Sequence, residues 1–368
     1  MAMAAKHKKF IIQITGVIFI MALVLSSVFS YLWFLDNRMQ AFARNGVIRI
    51  RPNTTIEELE QQVQQNLSPL HEASIRRVFD KENVALGLRP GSYAIDSTYS
   101  AHRFARAITR GWEEPVNLVL SGRIRSVDDV ADRISSQMMV DKEQMLSALK
   151  DSLLLAGYGF TPSRVFEMII PDTYQMYWSA SVEDILDRMK KEYDAYWTEE
   201  RVTVAARQGL TPSQVSILAS IIAEESHYKD EYPKIASVYL TRLRSGMKLQ
   251  ACPTVCYIYD YKINRVLNRH LATKSPYNTY MYAGLPPTPI CVPDKAHLDA
   301  VLHPDSTPYR YFCADSQLNG RNVFSVSLSE HNKKAALYHT ALEKYLKNKE
   351  LKEQAEAENV TNEIADET

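Results

Sequence analysis

Residues 10–35 form an uncharged apolar run, preceded by Lys6-His7-Lys8-Lys9 and followed by Asp36 and Arg38. About twenty apolar helical residues cross a bilayer core at ~1.5 Å rise per residue, so the run is long enough to span. The basic cluster ahead of it places residues 1–9 in the cytoplasm by the positive-inside rule. A cleaved signal peptide would have a shorter apolar region with a small-x-small site close behind it. Phe29-Ser30-Tyr31-Leu32-Trp33 offers no such site. The run therefore predicts a retained, single-pass signal anchor, with the chain from about residue 36 outside the cytoplasmic membrane. No later apolar run is long enough to span.

Beyond the anchor the period changes. Val47, Ile48 and Ile50 fall in a short alternating stretch within residues 41–52, which predicts a strand. Thr55-Ile56-Glu57-Glu58 is a capping box opening a helix through Leu59 and Val63, and a second helix is expected near residues 69–79. Pro90-Gly91 turns the chain into a strand ending near Ile95. Helices near 99–111 and 127–137 flank a strand near 116–120. Residues 40–122 thus read as a small α+β domain. The pattern from 123 to 210 is helical, broken by Gly157, Gly159 and Pro162, and Pro171-Asp172-Thr173-Tyr174 reads as a turn. Met247 to Tyr261 reads as a β-type connection. Residues 275–289 hold too many prolines for a helix or a central strand, and predict a rigid loop displaying Tyr277, Asn278 and Tyr280. Strands near 308–314 and 323–326 join through Asn319-Gly320, a hairpin signal. A last helix runs from about Leu328 to Lys347. The acidic tail 349–368 reads as disordered or as a frayed helix.

One helix carries the question of chemistry. Thr211 caps it, Pro212 suits its first position and Gln214 completes a capping box. At about 100° per residue, Val215, Leu218, Ile221 and Ile222 share an apolar face, and Glu225 lies near the middle of it. Glu224 points to the edge and reads as the ordinary surface acid of the pair. A carboxylate centred on an apolar face is paired, neutralised or in use. The structural alternative is an ion pair with Arg242 or Arg244, in the last turn of the next helix.

Composition narrows the choices. Lys+Arg and Asp+Glu balance at 43 each, which excludes the basic footprint of a nucleic-acid binder. The 21 tyrosines exceed what a core demands and suit a sugar or a protein interface. Cys252, Cys256, Cys291 and Cys313 lack a C-x-x-C pattern or a companion His pair, so they read as disulfides or buried thiols rather than zinc ligands. No G-x-S-x-G elbow is present, which removes the common serine acyl-transfer signature. Acid–base cleavage of a glycosidic bond by a desolvated, protonated Glu remains.

At this point residues 218–226, Leu-Ala-Ser-Ile-Ile-Ala-Glu-Glu-Ser, with residues 235–243, Ile-Ala-Ser-Val-Tyr-Leu-Thr-Arg-Leu, and Met247-Lys248-Leu249-Gln250, resemble the MltG/YceG family of membrane-anchored endolytic murein transglycosylases. Pro171-Asp172-Thr173-Tyr174, Pro253-Thr254-Val255, residues 275–280, Gly284-Leu285-Pro286-Pro287 and His331-Asn332 match further family motifs in order, over roughly residues 45–345. The resemblance implies an α+β protein: one transmembrane helix, a LysM-like domain over 40–122 and a mixed α/β YceG-type catalytic domain over 123–348. It places the catalytic glutamate on Glu225 and the saccharide cleft around Gln250, Thr254, Tyr277, Asn278 and Tyr280. It implies no metal and no cofactor. The implied substrate is nascent peptidoglycan, cut between N-acetylmuramic acid and N-acetylglucosamine to leave 1,6-anhydro ends and terminate glycan elongation. A single-pass location in the inner membrane, a periplasmic catalytic domain and peptidoglycan synthases as partners follow from the same resemblance. A non-catalytic peptidoglycan-binding scaffold and a hydrolytic muramidase are the alternatives. Two positions depart from the family's pattern: Ala223 and Cys252 stand where acids are common. With Cys291 also introduced in the loop, the departures imply a Cys252–Cys291 bridge across the cleft.

Overall fold

The computed structural model describes residues 2–263 and 265–366, the side chains of 2–9 and 351–366 excepted. The chain divides into two compact units. The first holds the chain up to Leu118 together with Ser135–Asp141 and Tyr174–Ser181. The second holds Val119–Ile134, Lys142–Thr173 and the chain from Val182 onward. The return of two later segments to the first unit differs from the contiguous 40–122 division expected from sequence. Local periodicity carries no information about such returns.

In the first unit the N-terminal helix, Ala2–Asn37, contains a span, Phe10–Asn37, of mean hydropathy 2.4 whose apolar side chains are not buried against the protein. It is the one helix among the described residues long and apolar enough to cross a membrane. At its end Asp36 accepts from Arg77 Nη2 at 2.6 Å and from Ser74 Oγ at 2.6 Å, tying this apolar helix to the helix Glu72–Lys81. Strands Gly46–Ile50 and Gly91–Ile95 pair antiparallel with Ile48 opposite Tyr93. Their alternation drives Ile48 and Ile50 into a core with Leu59, Val63, Val78 and Phe104. The helix Ile56–Leu67 begins with both halves of the Thr55–Glu58 capping box formed.

The second unit is mainly helical. Its central element is the helix Pro212–Glu225, called here the glutamate helix, which begins with the Thr211–Gln214 capping box. Every residue from Val215 to Ile222 is buried, the serines included, so it presents no solvent face along its middle. It packs against Tyr232–Arg244, Cys252–Ile258 and Lys295–Leu302. The hairpin Tyr311–Ala314 with Asn322–Ser325 sets Phe312 opposite Phe324.

Three local expectations are corrected. Pro171-Asp172-Thr173-Tyr174 is not a turn: Asp172–Tyr177 is a strand, with Tyr174 buried. Thr and Tyr favour extended backbone, and Pro171 is tolerated just ahead of a strand. The β-type connection expected within residues 247–261 contains the helix Cys252–Ile258, whose first turn accepts Pro253. The last helix runs over Leu328–Asp366, past the end expected near Lys347 and through the described part of the acidic tail.

Candidate active site

Glu225 is the last residue of the glutamate helix and opens into a cavity of about 710 Å³. Tyr239, Arg242, Gln250, Cys252, Tyr280, Phe312 and His331 are among the side chains lining it. Burial pushes the Glu225 carboxyl up to about 7 from its ordinary 4.5. A hydrogen bond from Tyr239 and the charge of Arg242 pull the other way without cancelling that rise. The Tyr239 hydroxyl donates to Glu225 Oε1 at 2.7 Å.

The ion pair weighed as the structural alternative is not formed. Arg242 Nε donates to the Arg310 carbonyl at 2.8 Å and its Nη1 to the Leu249 carbonyl, so backbone holds the guanidinium in the cavity wall. Arg244 Nη2 instead donates to Gln208 Oε1 at 2.7 Å. Arg242 thus supplies a nearby positive charge without quenching the acid. In the sequence Tyr239 stands only as part of the 235–243 motif, which gives no sign that the ring's polar tip reaches Glu225.

Glu224 departs from the surface acid expected. Its side chain is 6% exposed, and Arg125 donates to both carboxylate oxygens, with Nε to Oε1 at 2.9 Å. The Arg125 guanidinium in turn lies 4.0 Å over the Tyr261 ring. Arg125 precedes Glu224 by 99 residues, a separation that no local pattern bridges.

The five residues expected at the cleft separate into two groups. Gln250 and Tyr280 line the cavity with Glu225. Gln250 adopts φ +52°, uncommon for a side chain with Cβ, and its N–H donates to the Thr279 carbonyl at 3.1 Å. The Tyr280 hydroxyl lies 3.0 Å from Cys252 Sγ, and burial pushes that phenol well above its usual range. Thr254, Tyr277 and Asn278 are not among the lining residues; Tyr277 and Asn278 lie in the loop behind the wall and Thr254, on the helix Cys252–Ile258, packs against it. Asn278 is fully buried. Its Nδ2 donates to the Leu271 and Thr273 carbonyls at 3.0 and 2.8 Å, and its Oδ1 accepts from the Tyr280 N–H at 3.0 Å. Thr254 bonds Ala251 and Thr279, while the Tyr277 hydroxyl meets Thr288 Oγ1 at 2.6 Å. The loop thereby aims Tyr280, which is how a rigid loop presents a binding group. His331, quoted from sequence only as part of a motif, stacks on Tyr311 at 5.5 Å in the wall.

The expected Cys252–Cys291 bridge is absent, and all four cysteines are free thiols. Cys252 faces the Glu225 cavity. Cys291 lies in the lining of a separate cavity of about 160 Å³ beside Glu224 and donates to the Ser220 carbonyl at 3.3 Å.

A family model described as the YceG-like family matches residues 48–337. An endolytic murein transglycosylase of Bacillus subtilis is 39% identical over 195 residues, covering 53% of this chain and 49% of the relative. One from Streptococcus pneumoniae is 24% identical over 173 residues, covering 46% of this chain and 31% of the relative. The chain thus spans about half or less of the length of these relatives. The crystal structure of a YceG-like protein from Listeria monocytogenes superposes with a TM-score of 0.54 at 25% identity, covering 79% of this chain and 98% of that one.

Proposed function

The chain belongs to the YceG-like family, and on that premise we propose that it is an endolytic lytic transglycosylase of peptidoglycan. One observation carries the reading: among the described residues lining the 710 Å³ cavity, Glu225 is the only carboxylic acid, and burial holds its proton up to about pH 7. A hydrolase flanks the scissile bond with two carboxyl groups, the second activating water or attacking C1. A lytic transglycosylase needs neither. Protonated Glu225 donates to the oxygen joining C1 of N-acetylmuramic acid to N-acetylglucosamine, and that C–O bond breaks. The resulting Glu225 carboxylate removes the proton from the muramyl C6 hydroxyl, whose oxygen closes on C1. The product is a 1,6-anhydro end, and Glu225 is again protonated. Because the nucleophile belongs to the sugar, the substrate supplies the proximity.

Gln250 and Tyr280, in the cavity wall, are assigned to glycan contact. Asn278, Thr254 and Tyr277 act behind them by fixing the loop. Arg242, held on two backbone carbonyls, stabilises the carboxylate formed after proton donation. The antiparallel strand pair of residues 46–50 and 91–95, with two longer helices and the short helix Val84–Gly87 between them, supports a LysM-like module that holds glycan near the membrane. The helix Phe10–Asn37 supports single-pass anchoring in the inner membrane with a periplasmic catalytic unit, where cuts in nascent strands beside the synthases terminate elongation.

The test is mass spectrometry of fragments released from purified sacculi by the full chain. Anhydro-muropeptides are expected. Products heavier by one water assign a muramidase instead, and no release at all leaves a binding scaffold.

A further inference from the structure

We infer that Tyr239 is a positioning residue for catalysis: by holding Glu225 Oε1 it confines the reactive proton to Oε2, so one carboxyl oxygen serves both the acid and the base step. The inference rests on the reading of Glu225 as the general acid–base, and adds a division of labour between its two oxygens.

The geometry is specific. The hydroxyl of Tyr239 donates to Oε1 at 2.7 Å, and the ring is 1% exposed, packed edge-on to Phe312 at 5.7 Å. Burial and the Glu225 charge raise the phenol well above its ordinary range, so it keeps its proton while Glu225 cycles between acid and carboxylate. An oxygen that permanently accepts from a phenol is the poorer place for the carboxyl's own proton, which therefore resides on Oε2. No other hydrogen bond to either oxygen is found among the described residues. When Oε2 gives its proton to the glycosidic oxygen, negative charge spreads to Oε1, and the Tyr239 bond becomes charge-assisted and stronger. That strengthening occurs along the reaction coordinate, which makes it useful for rate rather than for binding. The carboxyl need not rotate between the two steps.

Several other titratable groups face this carboxyl. Arg242 comes from the same helix as Tyr239 and Glu224 from the preceding residue. Cys252 and Cys256 sit on the helix Cys252–Ile258, Tyr280 is on the loop, Cys313 is on the hairpin, and His331, Tyr338 and His339 are on the last helix. Of these groups only Tyr239 makes a hydrogen bond to the carboxyl, so its removal is the perturbation expected to act on Glu225 most directly.

The experiment uses the full chain in detergent and compares wild type, Tyr239→Phe and Glu225→Gln. Phe preserves the ring and its packing on Phe312. Anhydro-muropeptide release in Tyr239→Phe is expected to fall about ten- to a hundred-fold in kcat, the worth of one hydrogen bond to a charged group, with KM little changed. The basic limb of the pH–rate profile is expected to move upward, because the anion loses a donor. Infrared titration of the Glu225 carboxyl stretch, identified by its loss in Glu225→Gln, is expected to show the same upward movement without reference to activity. A fall in rate with the limb and the infrared titration unmoved overturns the inference and leaves Tyr239 a packing residue. An unchanged rate also overturns it. If wild type releases no anhydro product, the proposed function fails instead, and the infrared titration alone decides whether Tyr239 holds Glu225.

Discussion

Glu224 and Glu225 are consecutive residues at the end of one helix, yet their surroundings give them opposite chemistry. Glu224 is gripped on both oxygens by Arg125, and the cation also stacks on Tyr261. The hydrogen bonds to Glu224, with the mutual charge, raise the Arg125 guanidinium further despite its partial burial, so the cation is committed to this pair. Glu225 turns into a large cavity where the nearest arginine is spent on backbone carbonyls and the one hydrogen bond comes from a phenol. It keeps a proton near neutrality. A step of about 100° around the helix separates a structural ion pair from the proposed general acid. Burial raises a carboxyl's affinity for its proton when no cation is committed to it.

This contrast can be broken from either side. The largest effect is expected from Glu225→Gln, which keeps size and the bond from Tyr239 but removes the proton. Anhydro-muropeptide release from sacculi should fall about a thousand-fold or more, with unfolding by heat no easier than in wild type. A variant that still releases product would remove Glu225 from the mechanism. The same variant should also erase a pH dependence of stability. The folded carboxyl holds its proton to about 7, whereas an ordinary one releases it near 4.5. Between these values the folded state binds more protons than the unfolded, so stability falls as pH rises through the window. The loss is on the order of 3 kcal/mol and is complete above 7. Urea melts at pH 4.5 and pH 8 should show the drop in wild type and a flatter response in Glu225→Gln.

On the other side, Arg125→Met strips the buried Glu224 carboxylate of both its hydrogen bonds from Arg125 and leaves only the half-exposed Arg123 guanidinium, 4.0 Å away. Chemical denaturation should show a loss of about 3 kcal/mol, with the pH at half-maximal activity little moved. A loss of activity with stability intact would place Arg125 in the chemistry instead. The smallest effect is expected from Thr211→Ala at the opposite end of the same helix. Loss of the cap bond to the Gln214 N–H should cost about 1 kcal/mol and leave the pH–rate profile in place.

Sequence patterns reached far where the physics is local. The Thr55–Glu58 and Thr211–Gln214 capping boxes, the alternation at Ile48 and Ile50 and the Asn319-Gly320 hairpin each depend on residues a few positions apart, and all are present in the structure. The wheel separated Glu225 from its neighbour for the same reason. It failed on Glu224, because Arg125 comes from 99 residues away. Local patterns also missed the strand at Asp172–Tyr177 and the helix at Cys252–Ile258, where Pro171 just ahead of the strand and Pro253 in the first helical turn are both tolerated. The bridge inferred between Cys252 and Cys291 failed on direction: both are near the glutamate helix, but they line different cavities.

By itself, then, the sequence determined the long apolar N-terminal helix, the caps, the periodic elements and which carboxyl sits at the centre of an apolar face. These follow from spacing along one element, at ~1.5 Å per residue in a helix or from the period of two in a strand. Only the tertiary structure decided which of two adjacent acids is paired and which cation is occupied elsewhere. It also decided that Asn278 builds the loop while Tyr280 meets the cavity, and that a tyrosine tip reaches Glu225 Oε1. Each of these depends on where groups distant in sequence converge, and in a partly desolvated site it is such neighbours that set where a proton resides.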